Sequence, residues 1–321
     1  MKLKLFLFAL CLSCNSVAAD KTLIRLGVQA GGTVAWELPE LQAFINANAL
    51  DFQLDIHPLN TAQEGKKALQ NGLVDMIVTD WIWVSSAREQ GADFTFYPYS
   101  DKSGALVVAA DSPIKSIADL TGKRLGIAGS ALDKNWLLLQ TLAKQQHDVD
   151  LDAAVNKVFA APAELNQQLQ QGQVDAILNY WHYAAQLESE GYRTVVDGPG
   201  VLNALGINVA VANLGFVFKQ SWGEQHPAAL KQFIAASKQA RQNLCNNDAA
   251  WQKTLPLTDV DGELAQKHLR QNYCAGAIDH WGEAEQQALD KVYVLLHKQS
   301  QQALTGQAEH IQAGTFWQQQ P

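Results

Sequence analysis

Positive charge and long apolar segments are both scarce in this chain of 321 residues. Lys and Arg number 24 against 32 Asp and Glu, which gives a net charge of −8 at pH 7. This balance argues against a nucleic acid as partner, because neutralising phosphates needs a basic surface. Beyond the N-terminus, no stretch reaches the roughly 20 consecutive apolar residues of a membrane-spanning helix. We therefore expect a globular protein that binds neither DNA nor RNA. We also expect it to be a monomer.

The N-terminus has the pattern of a cleaved signal peptide over residues 1–19. Two lysines precede a short apolar run, Leu5–Leu12, and small residues then allow cleavage after Ala18 or Ala19. The apolar run is too short to act as a stable membrane anchor. The pattern predicts export to the periplasm.

Cysteine is rare, with four residues in the chain. Cys14 leaves lipid attachment as an alternative to soluble secretion, although Cys11 stands where a lipoprotein signal carries a large aliphatic residue. Cys245 and Cys274 remain after processing, and two cysteines in an exported chain predict a disulfide. Closing that loop stabilises the fold by roughly 3–4 kcal/mol in the chain-entropy description. Two free thiols in the core are the alternative.

Motifs that carry catalytic chemistry are missing. The sequence has no nucleophile elbow, no phosphate-binding loop, and no His and Cys at metal-ligand spacing. No catalytic residue, metal site or cofactor is therefore expected. What remains is the composition of an ordinary globular protein, 47% hydrophobic and 17% charged, at a length that suits two domains.

One stretch of the chain occurs twice. Residues 68–91 read ALQNGLVDMIVTDWIWVSSAREQG and residues 168–191 read QLQQGQVDAILNYWHYAAQLESEG. Each copy predicts a helix end, a short strand, an aromatic tip and a second helix closed by Gly. The copies share Gly72 and Gly172, Asp75 and Asp175, and Trp81 and Trp181.

The duplication extends upstream of this stretch. Residues 25–28 read RLGV and residues 124–127 read RLGI, and Trp36 is echoed by Trp136. Strands alternating with helices predict parallel sheets and an α/β fold. We expect a first lobe of residues 20–108 and 214–321, with a second lobe of residues 109–213 inserted into it. The two crossings would form a hinge beside an interlobe cleft.

Several segments resemble the periplasmic solute-binding proteins of ABC importers, and more narrowly the nitrate, sulfonate, taurine and thiamine-precursor group. They read GLVD at 72–75, SPIKSIADLTGKRLGI at 112–127, GQVDAI at 172–177, FVFK at 216–219 and HPAAL at 226–230. The resemblance implies a type II periplasmic binding protein fold. It also implies a small-molecule ligand and a transient ABC permease partner at the inner membrane.

In that family the ligand sits at strand ends and helix N-termini that face the cleft, as in open α/β sheets generally. The resemblance therefore places the site at residues 31–33, 79–81, 129–131 and 179–181. The candidate ligand-binding residues are Thr33, Trp36, Asp80, Trp81, Trp83, Ser130, Asp133, Asn179, Tyr180 and Trp181.

Each candidate has a structural alternative. Trp81 and Trp181 sit at strand tips and are expected to form an aromatic clamp on the ligand, whereas packing on the sheet is the better interpretation of Trp36. Asp80 either binds a cationic group or caps the following helix. The spacing of Ser130 and Asp133 is that of a capping box.

The predicted strand tips carry no basic residue, which favours a neutral or cationic, ring-containing ligand such as a pyrimidine vitamin precursor. A sulfonate-like or nitrate-like anion held by helix dipoles is the alternative. The expected role is the binding component of an ABC importer, with a periplasmic ligand sensor as a second reading. Some relatives synthesise the thiamine pyrimidine with clustered cysteines, a motif this chain lacks, so an enzyme is not expected.

Overall fold

A computed structural model describes residues 21–258 and 260–318. The predicted signal peptide, with Ala18, Ala19 and Cys14, lies outside the described residues. Within the described part, no helix combines the length and apolar character needed to cross a membrane.

The described chain contains ten strands and thirteen α-helices. The strands are β1 Thr22–Gln29, β2 Phe52–Leu59, β3 Met76–Thr79, β4 Phe94–Ser100, β5 Gly104–Val108, β6 Arg124–Ala128, β7 Asn156–Ala160, β8 Ala176–Tyr180, β9 Arg193–Asp197 and β10 Leu214–Lys219. The helices are α1 Thr33–Asn48, α2 Ala62–Gln70, α3 Trp81–Glu89, α4 Lys134–His147, α5 Leu151–Ala154, α6 Pro162–Gln170, α7 Trp181–Ser189, α8 Gly198–Ala204, α9 Gln220–Gln225, α10 Pro227–Asn246, α11 Asp248–Thr254, α12 Glu263–Ala275 and α13 Glu283–Gln299.

The strands form two five-stranded sheets of related topology. The first has the order β2-β1-β3-β10-β4 and the second the order β7-β6-β8-β5-β9. In each sheet four strands run in the same direction, and three of these are adjacent and joined by helical crossovers. The fifth strand, β10 in the first sheet and β5 in the second, is antiparallel to both of its neighbours. The repeated stretches coincide with β3-α3 and β8-α7, which occupy equivalent places in the two lobes. We call each sheet with its flanking helices a lobe.

The chain passes between the lobes earlier than expected. β5 pairs with β8 and β9 in the second sheet, so the boundary predicted after residue 108 is wrong and the first crossing is residues 101–103. β5 is a run of five buried residues, and such a run is compatible with either sheet. The return crossing precedes β10. Asn213 holds the two crossings together, because its N–H donates to the Ser100 carbonyl and its Nδ2 to the Lys102 carbonyl.

The same arginine–aspartate contact fastens both lobes. The Arg25 guanidinium donates to both carboxylate oxygens of Asp75 and to the Gly72 carbonyl, tying the start of β1 to the turn before β3. Arg124 repeats these contacts with Asp175 and the Gly172 carbonyl. The aspartates that the two copies share therefore have a structural role in each lobe.

The glycine of the repeated Arg-Leu-Gly motif also has a structural reason, because neighbouring side chains approach the strand closely at this position. A Cβ on Gly27 would lie 2.9 Å from Leu59 Cδ1, and one on Gly126 would lie 2.7 Å from Leu165 Cδ2. Glycine at these positions lets the neighbouring side chains cover the sheet. In each lobe, one three-residue motif thus supplies an ion-pair anchor and a packing gap.

The C-terminal helices, which the sequence assigns to the first lobe, contact both lobes. α12 packs on α7 and α13 packs on α4, both in the second lobe. A buried carboxylate anchors this region to α1, since Glu37 accepts hydrogen bonds from Tyr99, Tyr273 and Arg241. The predicted disulfide is present between Cys245 on α10 and Cys274 on α12, with their Cα atoms 5.7 Å apart.

The paired arginine–aspartate contacts predict unequal losses of stability. The Asp75 side chain is 10% exposed and the Asp175 side chain 33% exposed. Asp75→Ala leaves a less hydrated arginine unpaired and should lower the free energy of unfolding by about 1–3 kcal/mol. Asp175→Ala should lower it less. Urea denaturation of both variants measures the difference, and an equal or larger loss for Asp175→Ala would contradict this account.

Candidate ligand-binding cleft

A cavity of about 630 Å³ lies between the two lobes. Its wall contains first-turn or cap residues of six helices, each of which follows a parallel strand along the chain. These residues are Gly32, Thr33 and Val34 of α1, Thr61 and Ala62 of α2, Asp80 and Ile82 of α3, Asp133, Lys134 and Asn135 of α4, Pro162 of α6, and Tyr180, Trp181 and His182 of α7. Several helices therefore present their positive ends to one cavity.

Side chains of the protein cap only some of these helices. Asp80 caps α3 by accepting from the Trp83 N–H at 2.9 Å, and Asp133 caps α4 by accepting from the N–H groups of Asn135 and Trp136. Thr61 caps α2. The cap positions of α1, α6 and α7 make no side-chain hydrogen bond. The Trp181 N–H of α7 already donates to the Ser103 carbonyl, and the Ala35 N–H of α1 donates to the Gly32 carbonyl. Any first-turn N–H group that has no internal acceptor is suited to binding an anion.

Three lysines line the cavity, although no strand tip carries a basic residue. Lys66 lies 3.4 Å from Asp80, Lys102 lies 3.9 Å from Asp101, and the Lys134 ammonium donates to the Asn213 carbonyl at 3.1 Å. Strand-tip reasoning missed Lys66 because it lies within α2 and reaches the site only through packing. Lys134 directly follows the cap of α4, so its place beside a predicted tip was a usable signal.

The acidic groups of the cavity differ in ionisation. Burial opposes the charge on Asp80, but Lys66, Lys134 and the Trp83 N–H outweigh it and lower the pKa of Asp80 to about 2. Burial dominates at Asp133 and raises the pKa of that carboxyl despite its hydrogen bonds. Burial, with the nearby Asp133, also raises the pKa of Tyr180 to about 12. Asp80 is thus an ionised carboxylate already engaged by Lys66 and by its own helix.

The aromatic clamp expected from Trp81 and Trp181 is wrong, because only Trp181 reaches the cavity. Trp181 forms an edge-to-face contact with Trp36 at 6.0 Å. The Trp81 side chain is 1% exposed and packs against Tyr293 of α13. The two repeats differ here because α13 covers the tryptophan of the first lobe.

Four further candidates lie outside the cavity wall. Trp36 is buried, as expected, but it packs against Trp181 of α7 and Tyr273 of α12 and not on the sheet. Trp83 stacks on Phe94. Ser130 is exposed and does not complete a capping box, since α4 begins at Lys134 with Asp133 as its cap.

Asn179 is also withdrawn from the site. Its amide donates to the Pro162 carbonyl and to Asn166 Oδ1, and its Oδ1 accepts from the Tyr180 N–H. Five of the predicted residues line the cavity, namely Thr33, Asp80, Asp133, Tyr180 and Trp181. Three lysines that were not predicted line it as well, namely Lys66, Lys102 and Lys134. Thr33 is the first residue of α1 and does not cap it, because the cap position is Gly32.

Comparison with known proteins identifies the family. A profile described as NMT1/THI5 like matches residues 49–250. The chain belongs to this family. A putative aliphatic sulfonates-binding protein of Escherichia coli K12 is 26% identical over 196 residues, which cover 59% of this chain and 60% of that relative.

Solved structures show the same fold. The periplasmic aliphatic sulphonate binding protein SsuA from Escherichia coli has a TM-score of 0.73 at 18% identity, covering 92% of each chain. The alkanesulfonate-binding protein SsuA from Xanthomonas axonopodis pv. citri, bound to MOPS, has a TM-score of 0.68 at 18% identity, covering 94% of this chain and 99% of that one. The predicted type II periplasmic binding protein fold and the resemblance that implied it are confirmed.

The two repeat-related tryptophans should respond differently to truncation. Trp81→Ala removes a fully buried ring and should lower the free energy of unfolding by about 3–5 kcal/mol. Trp181→Ala removes a partly exposed ring and should lower it less, while weakening ligand binding. Thermal unfolding measures the loss of stability, and calorimetric titration of each variant with ligand measures the loss of binding. Full stability of Trp81→Ala would contradict the packing described here.

His182 should make the protein sensitive to acid. Its Nδ1 is buried without a partner among the described residues, and burial lowers its pKa from 6.5 to about 4. Between pH 6.5 and about pH 4, His182 is protonated in the unfolded chain but neutral in the folded chain. The free energy of unfolding therefore decreases as pH falls through this interval. Over that interval the free energy of unfolding of His182→Gln should decrease by about 1–3 kcal/mol less than that of the wild type. Urea denaturation at several pH values measures this, and parallel pH profiles would contradict it.

Proposed function

We propose that this protein is the periplasmic solute-binding component of an ABC importer, capturing a small organic anion of the sulfonate class in the interlobe cleft. The observation that carries the proposal is the set of uncapped helix N-termini facing one cavity that also contains three lysines. The sulfonate-binding names of the matched relatives support the choice of anion.

The charge distribution favours an anion over the neutral or cationic ligand that the strand tips favoured. Asp80 is the acidic residue best placed to bind a cation, yet it already holds Lys66 and caps α3. Asp133 is engaged in capping α4. The cavity-lining lysines outnumber these two aspartates, and the dipoles of α1, α6 and α7 add positive potential.

The remainder of the cavity suits an organic group. Its volume falls in the range of roughly 300–1,000 Å³ common for small-molecule sites. Val28, Leu59 and Ile77 supply an apolar wall in the first lobe, and Tyr180 and Trp181 supply aromatic surface in the second. A sulfonate with an alkyl or ring-bearing tail would place charge at the helix ends and its tail on these side chains.

The architecture also fits capture by closure. The two crossings form the hinge, and α1 and α7 bring their N-termini to the cavity from opposite lobes. An anion contacting both would favour the closed arrangement through its differential affinity for it. The closed form would then deliver the ligand to a membrane permease.

Titration calorimetry with ligands of one carbon skeleton tests the proposal. Hexane-1-sulfonate, hexan-1-ol and hexylammonium share a tail and differ in charge. The sulfonate should bind at least about tenfold more tightly than either analogue, because charge-assisted hydrogen bonds exceed neutral ones. Equal or tighter binding of the alcohol or the ammonium would refute an anion-selective cleft. Mass spectrometry of the recovered sulfonate should show it unchanged.

A further inference from the structure

We propose that Lys134 is the residue that makes the cleft selective for anions, and that its ammonium group takes up a proton when the ligand binds at alkaline pH. The inference deepens the proposed function and rests on it. It assigns a specificity-determining role to one of the three cavity-lining lysines. It also predicts a pH signature that a purely structural lysine would not produce.

Ion pairing separates Lys134 from the other two lysines. Lys66 lies 3.4 Å from the Asp80 carboxylate, and Lys102 lies 3.9 Å from that of Asp101. Lys134 forms no ion pair within 4.0 Å in the part of the chain that the structure describes. Its hydrogen-bond acceptor is a neutral carbonyl, that of Asn213. Lys134 therefore has no direct carboxylate contact among the described residues, although Asp80 and Asp133 lie close enough to act on its charge.

The ammonium group of Lys134 also has donors to spare. A lysine ammonium has three N–H donors, and one of them serves the Asn213 carbonyl at 3.1 Å. Among the described residues, no other acceptor takes the remaining two. Since Lys134 lines the cavity as the first residue of α4, a ligand oxygen could accept these donors without breaking an existing contact.

The surroundings of Lys134 tie its protonation to ligand charge. Burial lowers its pKa below the ordinary 10.5, while Asp80 of α3 and Asp133 of its own helix counteract this and Lys66 of α2 adds to it. Tyr180, at the end of β8, stays neutral up to about pH 12. A bound anion favours the charged ammonium and raises the pKa of Lys134 again. The affinity for the anion should therefore fall as pH rises through the lowered pKa of Lys134 in the ligand-free protein.

Three variants of the whole mature protein test this, with hexane-1-sulfonate as probe. Lys134→Met should weaken binding about tenfold to one-hundredfold, the loss expected for a charge-assisted hydrogen bond. Lys134→Arg keeps a permanent charge and should keep binding while losing the fall in affinity as pH rises towards the ordinary lysine pKa of 10.5. Lys144→Met removes a lysine of the same helix that is 60% exposed and pairs with Asp148, and should bind like the wild type.

The outcomes separate this inference from the function on which it rests. Wild-type affinity in Lys134→Met, or an unchanged pH profile in Lys134→Arg, would overturn the role of Lys134 and leave anion binding standing. Failure of the wild type itself to bind hexane-1-sulfonate would overturn both. Lys134→Arg keeps the test decisive if Lys134→Met does not fold, because its pH profile is read on a charged, folded variant.

Discussion

Six helices start at one cavity, and the hydrogen-bonding needs of their first-turn N–H groups shape the charge of the site. First-turn amides lack intrahelical acceptors and carry partial positive charge, so each helix start needs negative charge from somewhere. Asp80 and Asp133 supply it for α3 and α4, one in each lobe. α1, α6 and α7 have no such side chain. Side chains of the protein thus cap some of these helices, and a bound anion could supply acceptors for the others.

The internal repeat separates scaffold from site. The Arg25–Asp75 and Arg124–Asp175 contacts, and the glycines that follow these arginines along the strands, are kept in both lobes and fix how strands meet helices. The cap positions are not kept. Asp80 of the first lobe corresponds to Tyr180 of the second, so an acid-capped helix in one lobe faces an uncapped equivalent in the other. We propose that the selectivity of the cleft arises where the two copies diverge.

Sequence patterns predicted most of the fold, because strand and helix alternation, the repeat and the cysteine pair are local or countable signals. They misplaced β5, since a buried apolar strand fits either sheet. They misjudged Trp81, whose burial depends on Tyr293 of a helix more than two hundred residues away. They missed Lys66, which only the packing of α2 brings beside Asp80. Each failure concerns a long-range contact that no local pattern contains.

We propose that an anion lies between the N-termini of α1 and α7 and accepts hydrogen bonds from the Lys134 ammonium group. A crystal structure of the complex with 2-bromoethanesulfonate tests it most directly, because anomalous scattering from bromine fixes the direction in which the ligand points. The account predicts sulfonate oxygens within hydrogen-bonding distance of the first turns of both helices and of Lys134, with bromine towards Trp181. A sulfonate bound outside the cleft, or one turned away from both helix ends, would contradict it.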